Sequence, residues 1–391
     1  MGKPIFSIKE ISDLFLPYIL AGELPSRKTF GNNFINGVKH WWFPKADIQE
    51  SYASDRLKIL DLEFGDICGL RCEYCFRADD ERDISLSKNL TLDEWKNLID
   101  QAFLMGVEAV KLIGAGEFFE DGRFMDAFRY LTEKGIKAVL FTAGYVLADE
   151  KKTIKLHGMT PDEIIDYLYK NGHSVFIKGD SFKPEVMDAM VHRKNFSDKR
   201  NIVLKKLLER GFTDESPTRL GLEVQANIHN FTELLDIDKL KYYLNIYSDM
   251  VTSMPCGIFN LRKETGRSID LSLDQKFELY KAIYRQNIDF DIPFGGIFPF
   301  IGGLKCSQLG NGLYINVKGD VYACPGCFEK LGNIKGGNDT LKTVWNSHQE
   351  RAVFQKDDYI CPPRENAGIT PTFLYEEIAR NISERSGRGK D

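Results

Sequence analysis

No stretch of this 391-residue chain reaches the roughly 18 apolar residues that a membrane-spanning helix needs, so a bilayer is not an expected partner. A surplus of positive charge is missing as well. Lysine and arginine total 52 against 57 aspartates and glutamates, a net charge of −5 that gives no general hold for nucleic acid or an anionic membrane surface. The opening Met1, Gly2, Lys3, Pro4, Ile5, Phe6 lacks the apolar core of a secretion signal, so a cytoplasmic location is expected. Internal repeats and low-complexity tracts are absent, which excludes solenoids and extended linkers. Cysteine is scarce at eight residues, and in a reducing compartment cysteines grouped in two clusters read as metal ligands sooner than as disulfides.

What is present is ordinary for a soluble globular protein: 43% hydrophobic and 28% charged residues, on a chain long enough to bury a large core. Residues 1–55, with Trp41, Trp42, Phe43 and Pro44, read as an irregular N-terminal cap. From residue 57 a rhythm sets in. Leu57–Phe64, Ala109–Ile113, Lys137–Thr142, Ser174–Lys178, Leu220–Ala226 and Met250–Met254 read as strands, separated by helical patterns such as Thr91–Met105, Arg123–Lys134, Pro161–Lys170, Val203–Arg210, Glu233–Leu244 and Asp274–Arg285. This alternation implies an α/β fold with a parallel sheet whose functional residues sit at the carboxyl ends of the strands. The expected organisation is a cap over 1–55, a barrel over 56–293, a glycine-rich hairpin module over 294–380 and a polar flexible tail over 381–391.

The most informative run is Cys68-Gly-Leu-Arg-Cys72-Glu-Tyr-Cys75. Three thiolates at this spacing serve one iron-sulfur cube and leave one iron without a protein ligand, open to a substrate or cofactor. Zinc is the alternative, but zinc knuckles pair two short Cys-x-x-Cys motifs, and the next cysteine lies about 180 residues on.

With Tyr74 just before the last cysteine, this run resembles the signature of the radical S-adenosylmethionine enzymes, which share a partial (β/α)6 TIM-like barrel. The resemblance implies a [4Fe-4S] cluster on Cys68, Cys72 and Cys75 that chelates S-adenosylmethionine, cleaves it reductively to a 5'-deoxyadenosyl radical, and so abstracts a substrate hydrogen atom. It also implies a flavodoxin- or ferredoxin-type reductant. Gly114, Ala115, Gly116 and Glu117 resemble the family loop that contacts the methionine amino group, where small residues allow close approach and Glu117 accepts from an ammonium. Lys178-Gly179-Asp180-Ser181 resembles the polar strand end near the cofactor ribose and carboxylate, with Lys178 and Ser181 as the expected contacts. Ala143 stands where relatives carry an asparagine, a loss of one side-chain hydrogen bonder.

Cys306, Cys324, Cys327 and Cys361 form the second set, and Lys318-Gly319-Asp320 is a hairpin turn that folds Cys324 back toward Cys306. This resembles the C-terminal SPASM or twitch module of the same superfamily. Four cysteines suffice for one fully ligated auxiliary [4Fe-4S] cluster, the twitch arrangement, with a four-thiolate zinc as the alternative.

Cys256, at the expected end of the sixth strand, remains. It is either a hydrogen-atom donor that re-forms a substrate C–H bond with inversion, or a small buried hydrophobe. A dehydrogenase would need a base instead, for which Glu223, Asp249 and His229 are candidates. Residues 1–55 are too short and irregular for a peptide-binding domain, which favours a small polar metabolite such as a sugar or aminocyclitol over a peptide. The expected outcome is epimerisation or dehydrogenation. The alternatives are a peptide (RiPP) maturase and a noncatalytic zinc-binding regulator.

Overall fold

The computed structural model describes residues 33–75 (without 42), 89–235, 246–252, 269–289 and 308–354 (without 328, 338, 349 and 350). Six strands run parallel in chain order: β1 (Ile59–Leu62), β2 (Ala109–Leu112), β3 (Lys137–Thr142), β4 (Ser174–Lys178), β5 (Leu220–Ala226) and β6 (Tyr247–Thr252). On its other side β1 pairs with β7 (Gly312–Ile315), also parallel, and β8 (Asp320–Tyr322) and β9 (Lys330–Asn333) continue antiparallel. The result is one nine-stranded sheet in the order β6-β5-β4-β3-β2-β1-β7-β8-β9, an open α/β barrel with the hairpins added at its β1 side. Among the described residues no helix is long and apolar enough to cross a membrane.

The helices are α1 (Lys45–Ala53), α2 (Leu92–Leu104), α3 (Phe124–Glu133), α4 (Glu150–His157), α5 (Pro161–Lys170), α6 (Pro184–Met190), α7 (Phe196–Arg210), α8 (Leu273–Asp289) and α9 (Leu341–Ser347). Burial follows the helical period: α2 hides Trp95, Leu98, Ile99 and Ala102, and α5 hides Pro161, Ile164, Ile165 and Leu168. Each starts on a reciprocal cap, Thr91 with Glu94 and Thr160 with Glu163. These stripes pack on the outer face of the strands, where Leu60, Leu62, Val110, Leu112, Leu140, Val175, Ile177 and Leu222 belong to one core with them.

The strand residues in between point the other way, into the barrel lumen. Phe141 and Phe176 stack there with ring centroids 4.5 Å apart, and Tyr247 lies edge-on to Phe176 at 6.2 Å. Gly221 makes room for them, because a Cβ at that position would sit 2.3 Å from Phe176 Cε1. Residues 33–41 fill the lumen from the amino ends of the strands. Lys39 N–H donates to Thr218 O at 2.8 Å, Ser174 Oγ donates to Lys39 O at 2.7 Å, and the Trp41 ring meets Phe141 and Phe176 at 5.0 and 5.4 Å. Beside it the buried Lys111 has its Nζ 4.2 Å from the Trp41 ring centroid, 3.1 Å from Gln308 Oε1 and 4.0 Å from Asp61 Oδ1.

Strands β3, β4 and β5 and helix α5 fall on the bounds read from the sequence. The sixth strand starts three residues earlier than expected, and most of Glu233–Leu244 lies outside the described residues. The region read as an irregular cap includes a regular helix, α1, and α4 and α6 had no counterpart in the sequence reading. The hairpin at Lys318–Asp320 is present, with Gly319 at φ +80°, where glycine is favoured.

Candidate functional site

The Cys68–Cys75 run leaves the carboxyl end of β1 and is pinned from three sides. Arg71 N–H donates to Val191 O and Glu73 N–H to Met190 O, both at 3.1 Å, which ties the loop to the end of α6. Gly69 N–H donates to Glu120 Oε2 at 2.5 Å and to the Tyr145 hydroxyl at 3.2 Å. Glu117 N–H donates to Ile67 O at 2.8 Å, joining the cysteine loop to the loop that follows β2. That last contact requires glycine: a Cβ on Gly116 would lie 2.5 Å from Ile67 O, and one on Gly114 only 2.2 Å from Gly116 O.

Burial pushes the Cys68 thiol up to about 12; the Leu70 amide pulls it down, and the neighbouring Cys72, Glu117 and Cys75 push it further up. Three thiols close enough to oppose each other's ionisation fit a soft polynuclear cation, which a thiolate-bound iron-sulfur cube supplies. Among the described residues no three His, Cys, Asp or Glu side chains meet at a single-ion position, and a cube ligated at separate irons needs none to.

Glu117 is buried at the end of β2. The Thr142 hydroxyl donates to its Oε1 at 2.6 Å and Ala143 N–H to its Oε2 at 2.7 Å. Burial raises its carboxyl to about 7 against these two bonds. The main chain of Ala143 thus supplies a donor where the sequence showed only a missing side chain. Each carboxylate oxygen retains a second lone pair for a ligand cation.

Across the lumen, Asp180 is the centre of a buried network. The Tyr74 hydroxyl donates to Asp180 Oδ2, Lys178 Nζ lies 3.3 Å from the same oxygen, and Gln225 N–H donates to Oδ1 at 2.7 Å. The Lys178 ammonium also covers the Tyr74 ring at 4.5 Å. Burial alone would depress Lys178, but Asp180, Cys72 and Glu223 together hold it well above the usual lysine range. Glu223, next to Lys178 in register, is raised by burial, with Lys178 pulling it down. Ser181 faces elsewhere: its hydroxyl donates to Glu233 Oε2 at 2.5 Å. Arg200 of α7, fully buried, ties the strand end together by donating to Lys178 O at 2.6 Å and Ser181 O at 3.0 Å.

The sequence reading names Asp180 within the polar strand end but favours Lys178 and Ser181 as contacts, and it assigns no role to Arg200, Thr142 or Glu120. For Asp180 a signal existed, since strand alternation carries Phe176, Lys178 and Asp180 to one face and leaves Ser181 off it. The structure places His229 beside Glu73, Nε2 to Oε2 at 3.1 Å, with His192 at 3.5 Å from the other oxygen. Cys324 and Cys327 lie together after β8, Sγ to Sγ 3.5 Å, and the bond to Cys324 lowers Cys327 most. Cys256, Cys306 and Cys361 lie outside the described residues.

Residues 62–226 match the model of the radical SAM superfamily, and residues 306–364 match that of SPASM, an iron-sulfur cluster-binding domain. The chain carries a radical SAM domain followed by a SPASM domain. Among known proteins of similar sequence, a GTP 3',8-cyclase of Aquifex aeolicus (strain VF5) is 21% identical over 307 residues, covering 75% of this chain and 91% of that one. The GTP 3',8-cyclase of Clostridium perfringens (strain SM101 / Type A) is 27% identical over 204 residues, 51% of this chain and 57% of that one. Among solved structures, Streptococcus suis SuiB bound to precursor peptide SuiA has a TM-score of 0.55 at 12% identity, covering 84% of this chain and 74% of that one. Native anSMEcpe with bound AdoMet has a TM-score of 0.52 at 13% identity, covering 76% and 84%. At these identities the structural likeness is one of fold. The radical SAM match runs from the last residue of β1 to the end of β5, and the SPASM match begins just before β7.

Proposed function

We propose that this radical SAM enzyme acts on a small polar metabolite, such as a sugar or aminocyclitol, and ends in epimerisation or two-electron oxidation. The observation that carries the reading is the interlock of two loops at the barrel mouth: Cys68, Cys72 and Cys75 on one, and Gly114, Ala115, Gly116 and Glu117 on the other, joined at Ile67 O. S-adenosylmethionine, bound at a cube with one unclaimed iron, supplies a radical able to remove hydrogen from an unactivated carbon. Glu117 presents a carboxylate to the ammonium of that cofactor, and Thr142 and Ala143 keep it oriented. Because the Ser181 hydroxyl is committed to Glu233, Lys178 and Asp180 are assigned the polar strand-end contact, with Tyr74 held by Asp180. Cys306, Cys324, Cys327 and Cys361 are assigned one fully ligated auxiliary cluster.

The substrate class rests on the upper lumen. The half-buried Glu223 and the buried Lys178 place opposite charges side by side in the lumen, a lining suited to hydroxyl and amino groups. The related cyclases are named for GTP, also a small polar molecule.

Anaerobic reconstitution is expected to give a brown protein with roughly seven to eight irons that cleaves S-adenosylmethionine under dithionite. An iron-loaded protein that leaves the nucleotide intact would overturn the radical reading. Product formed in heavy water from sugars, aminocyclitols and GTP then tests the substrate. Deuterium gained by wild type and lost in Cys256→Ala marks epimerisation with Cys256 as donor, whereas turnover of a peptide alone would overturn the small-molecule assignment.

A further inference from the structure

The short turn Phe118–Glu120, directly after Glu117, ends on a second acid, and the Glu120 side chain is only 8% exposed. Its partners account for a carboxylate in that position. Oε2 accepts from Gly69 N–H at 2.5 Å, Oε1 accepts from the Lys152 ammonium of α4, and the Tyr145 hydroxyl donates to the same carboxylate. The Tyr145 ring is covered in turn by the Arg193 guanidinium at 4.4 Å, and Arg193 Nη1 reaches Gly69 O at 3.5 Å. Three side chains from three segments therefore close on one residue of the cysteine loop. A Cβ on Gly69 would sit 2.9 Å from Arg193 Nη1, 3.1 Å from Glu120 Oε1 and 3.2 Å from the Tyr145 hydroxyl, so the enclosure is fitted to glycine.

Peptide geometry says what this grip does to the loop. The nitrogen of Gly69 is bonded to the carbonyl carbon of Cys68, so Glu120 claims the first N–H after that cysteine. The next peptide is trans, with Gly69 O and Leu70 N–H pointing in opposite directions. Drawing the carbonyl toward Arg193 leaves Leu70 N–H for the Cys68 sulfur. Of two consecutive amides, one serves the thiolate and the other serves Glu120.

A neutral acceptor could hold Gly69 N–H as well, and a buried ion pair adds little stability over apolar packing. What a carboxylate adds is negative charge one residue from Cys68, in a poorly screened interior. Lys152, on the other carboxylate oxygen, balances it, so the pair offers two charges of opposite sign. The potential of an iron-sulfur cube depends on the charge around it and on hydrogen bonds to its sulfurs, and Glu120 bears on both.

We propose that Glu120 is a positioning residue for the cube on Cys68, Cys72 and Cys75: it fixes the Gly69 peptide and holds the cube's potential low, with Lys152 opposing it. The inference rests on the radical SAM reading above and adds a residue outside the thiolates that sets how readily the cube accepts one electron from an external reductant such as dithionite. No bond forms or breaks in that step. A low potential makes the reduced cube a stronger donor toward a sulfonium.

The test reconstitutes wild type, Glu120→Gln and Lys152→Met anaerobically and titrates each potentiometrically, using electron paramagnetic resonance to follow the reduced signal that changes when S-adenosylmethionine is added. Glu120→Gln keeps an acceptor for Gly69 N–H and removes the charge. Its cube is expected to reduce about tenfold more readily, about 59 mV higher in potential, with iron content unchanged. Lys152→Met leaves the carboxylate unbalanced and is expected to shift the same signal the other way; it carries the test by itself if the Gln protein takes up no iron. An unchanged potential in iron-loaded Glu120→Gln would overturn the proposal. Shifts of the same sign in the two variants would overturn it too, because they mark a loosened loop and not a charge, as would an equal shift in the auxiliary signal. Absence from wild type of any signal that responds to S-adenosylmethionine would fault the underlying radical reading instead.

Discussion

Asp61 sits on the lumen face of β1 with Lys111 and Tyr314 beside it in register, removed from water. Burial pushes its carboxyl up to about 6, against the pull of Lys111. An acid raised in the folded state favours folding fully below its unfolded value of 3.8, and that contribution is lost as pH rises through 6. The term is of order 2–3 kcal/mol. Asp61→Asn removes it, while Lys111 keeps its bond to Gln308 and its place over Trp41. Thermal melts between pH 4 and 6.5 are therefore expected to show wild type losing stability that the variant retains, and parallel curves would refute the assignment. At this scale the sequence exposed the groups that name a chemistry, Cys68, Cys72, Cys75 and Glu117. It hid those that act through the main chain, because the Ala143 amide and the carbonyls held by Arg200 leave no trace in residue identity.

Among the elements, legibility followed how strongly a segment repeats its apolar spacing. Helix α5 carries a reciprocal cap, proline in its first turn and apolar residues at a clean helical spacing, so its bounds were readable. Helix α4, Glu-Lys-Lys-Thr-Ile-Lys-Leu-His, buries only Thr153 and His157 and has no apolar stripe to read; its signals are the Asp149 cap and Gly158 at φ +66°. Packing between strands supplies a sharper test. Gly221→Ala places a methyl against Phe176 and is expected to cost about 1–3 kcal/mol, seen as a melting point lowered by several degrees. Phe176→Leu should relieve part of that cost, so the double variant is expected to lose less than the sum of the singles. Strict additivity would show that the two residues do not share the space.

Over the molecule as a whole, the alternation of strand and helix made the parallel barrel visible in the sequence, but not the attachment of the hairpin module. That module reads as a separate unit after a glycine-rich break, yet β7 pairs with β1 along its full length and β8 and β9 extend the same sheet. Lys335 Nζ donates to Asn89 O at 2.9 Å, Leu341 N–H to Gln101 Oε1 at 2.8 Å, and Trp345 Nε1–H to Asp55 O at 3.1 Å, so the contact reaches beyond the strands. Such pairings join residues some 250 positions apart and cannot be read from local periodicity. Scanning calorimetry is accordingly expected to give one transition with equal calorimetric and van't Hoff enthalpies, whereas two resolved transitions would mean that barrel and hairpins unfold independently.

The pairing of β1 with β7 also sets a schedule on the ribosome. Gly312 follows Leu62 by 250 positions, which translation at ordinary rates takes about 12–50 s to traverse. Throughout that interval the strand feeding the cysteine loop has an open flank able to capture a foreign strand from another nascent polypeptide. Chaperone demand during synthesis should therefore peak before the codons for Gly312–Ile315 are decoded.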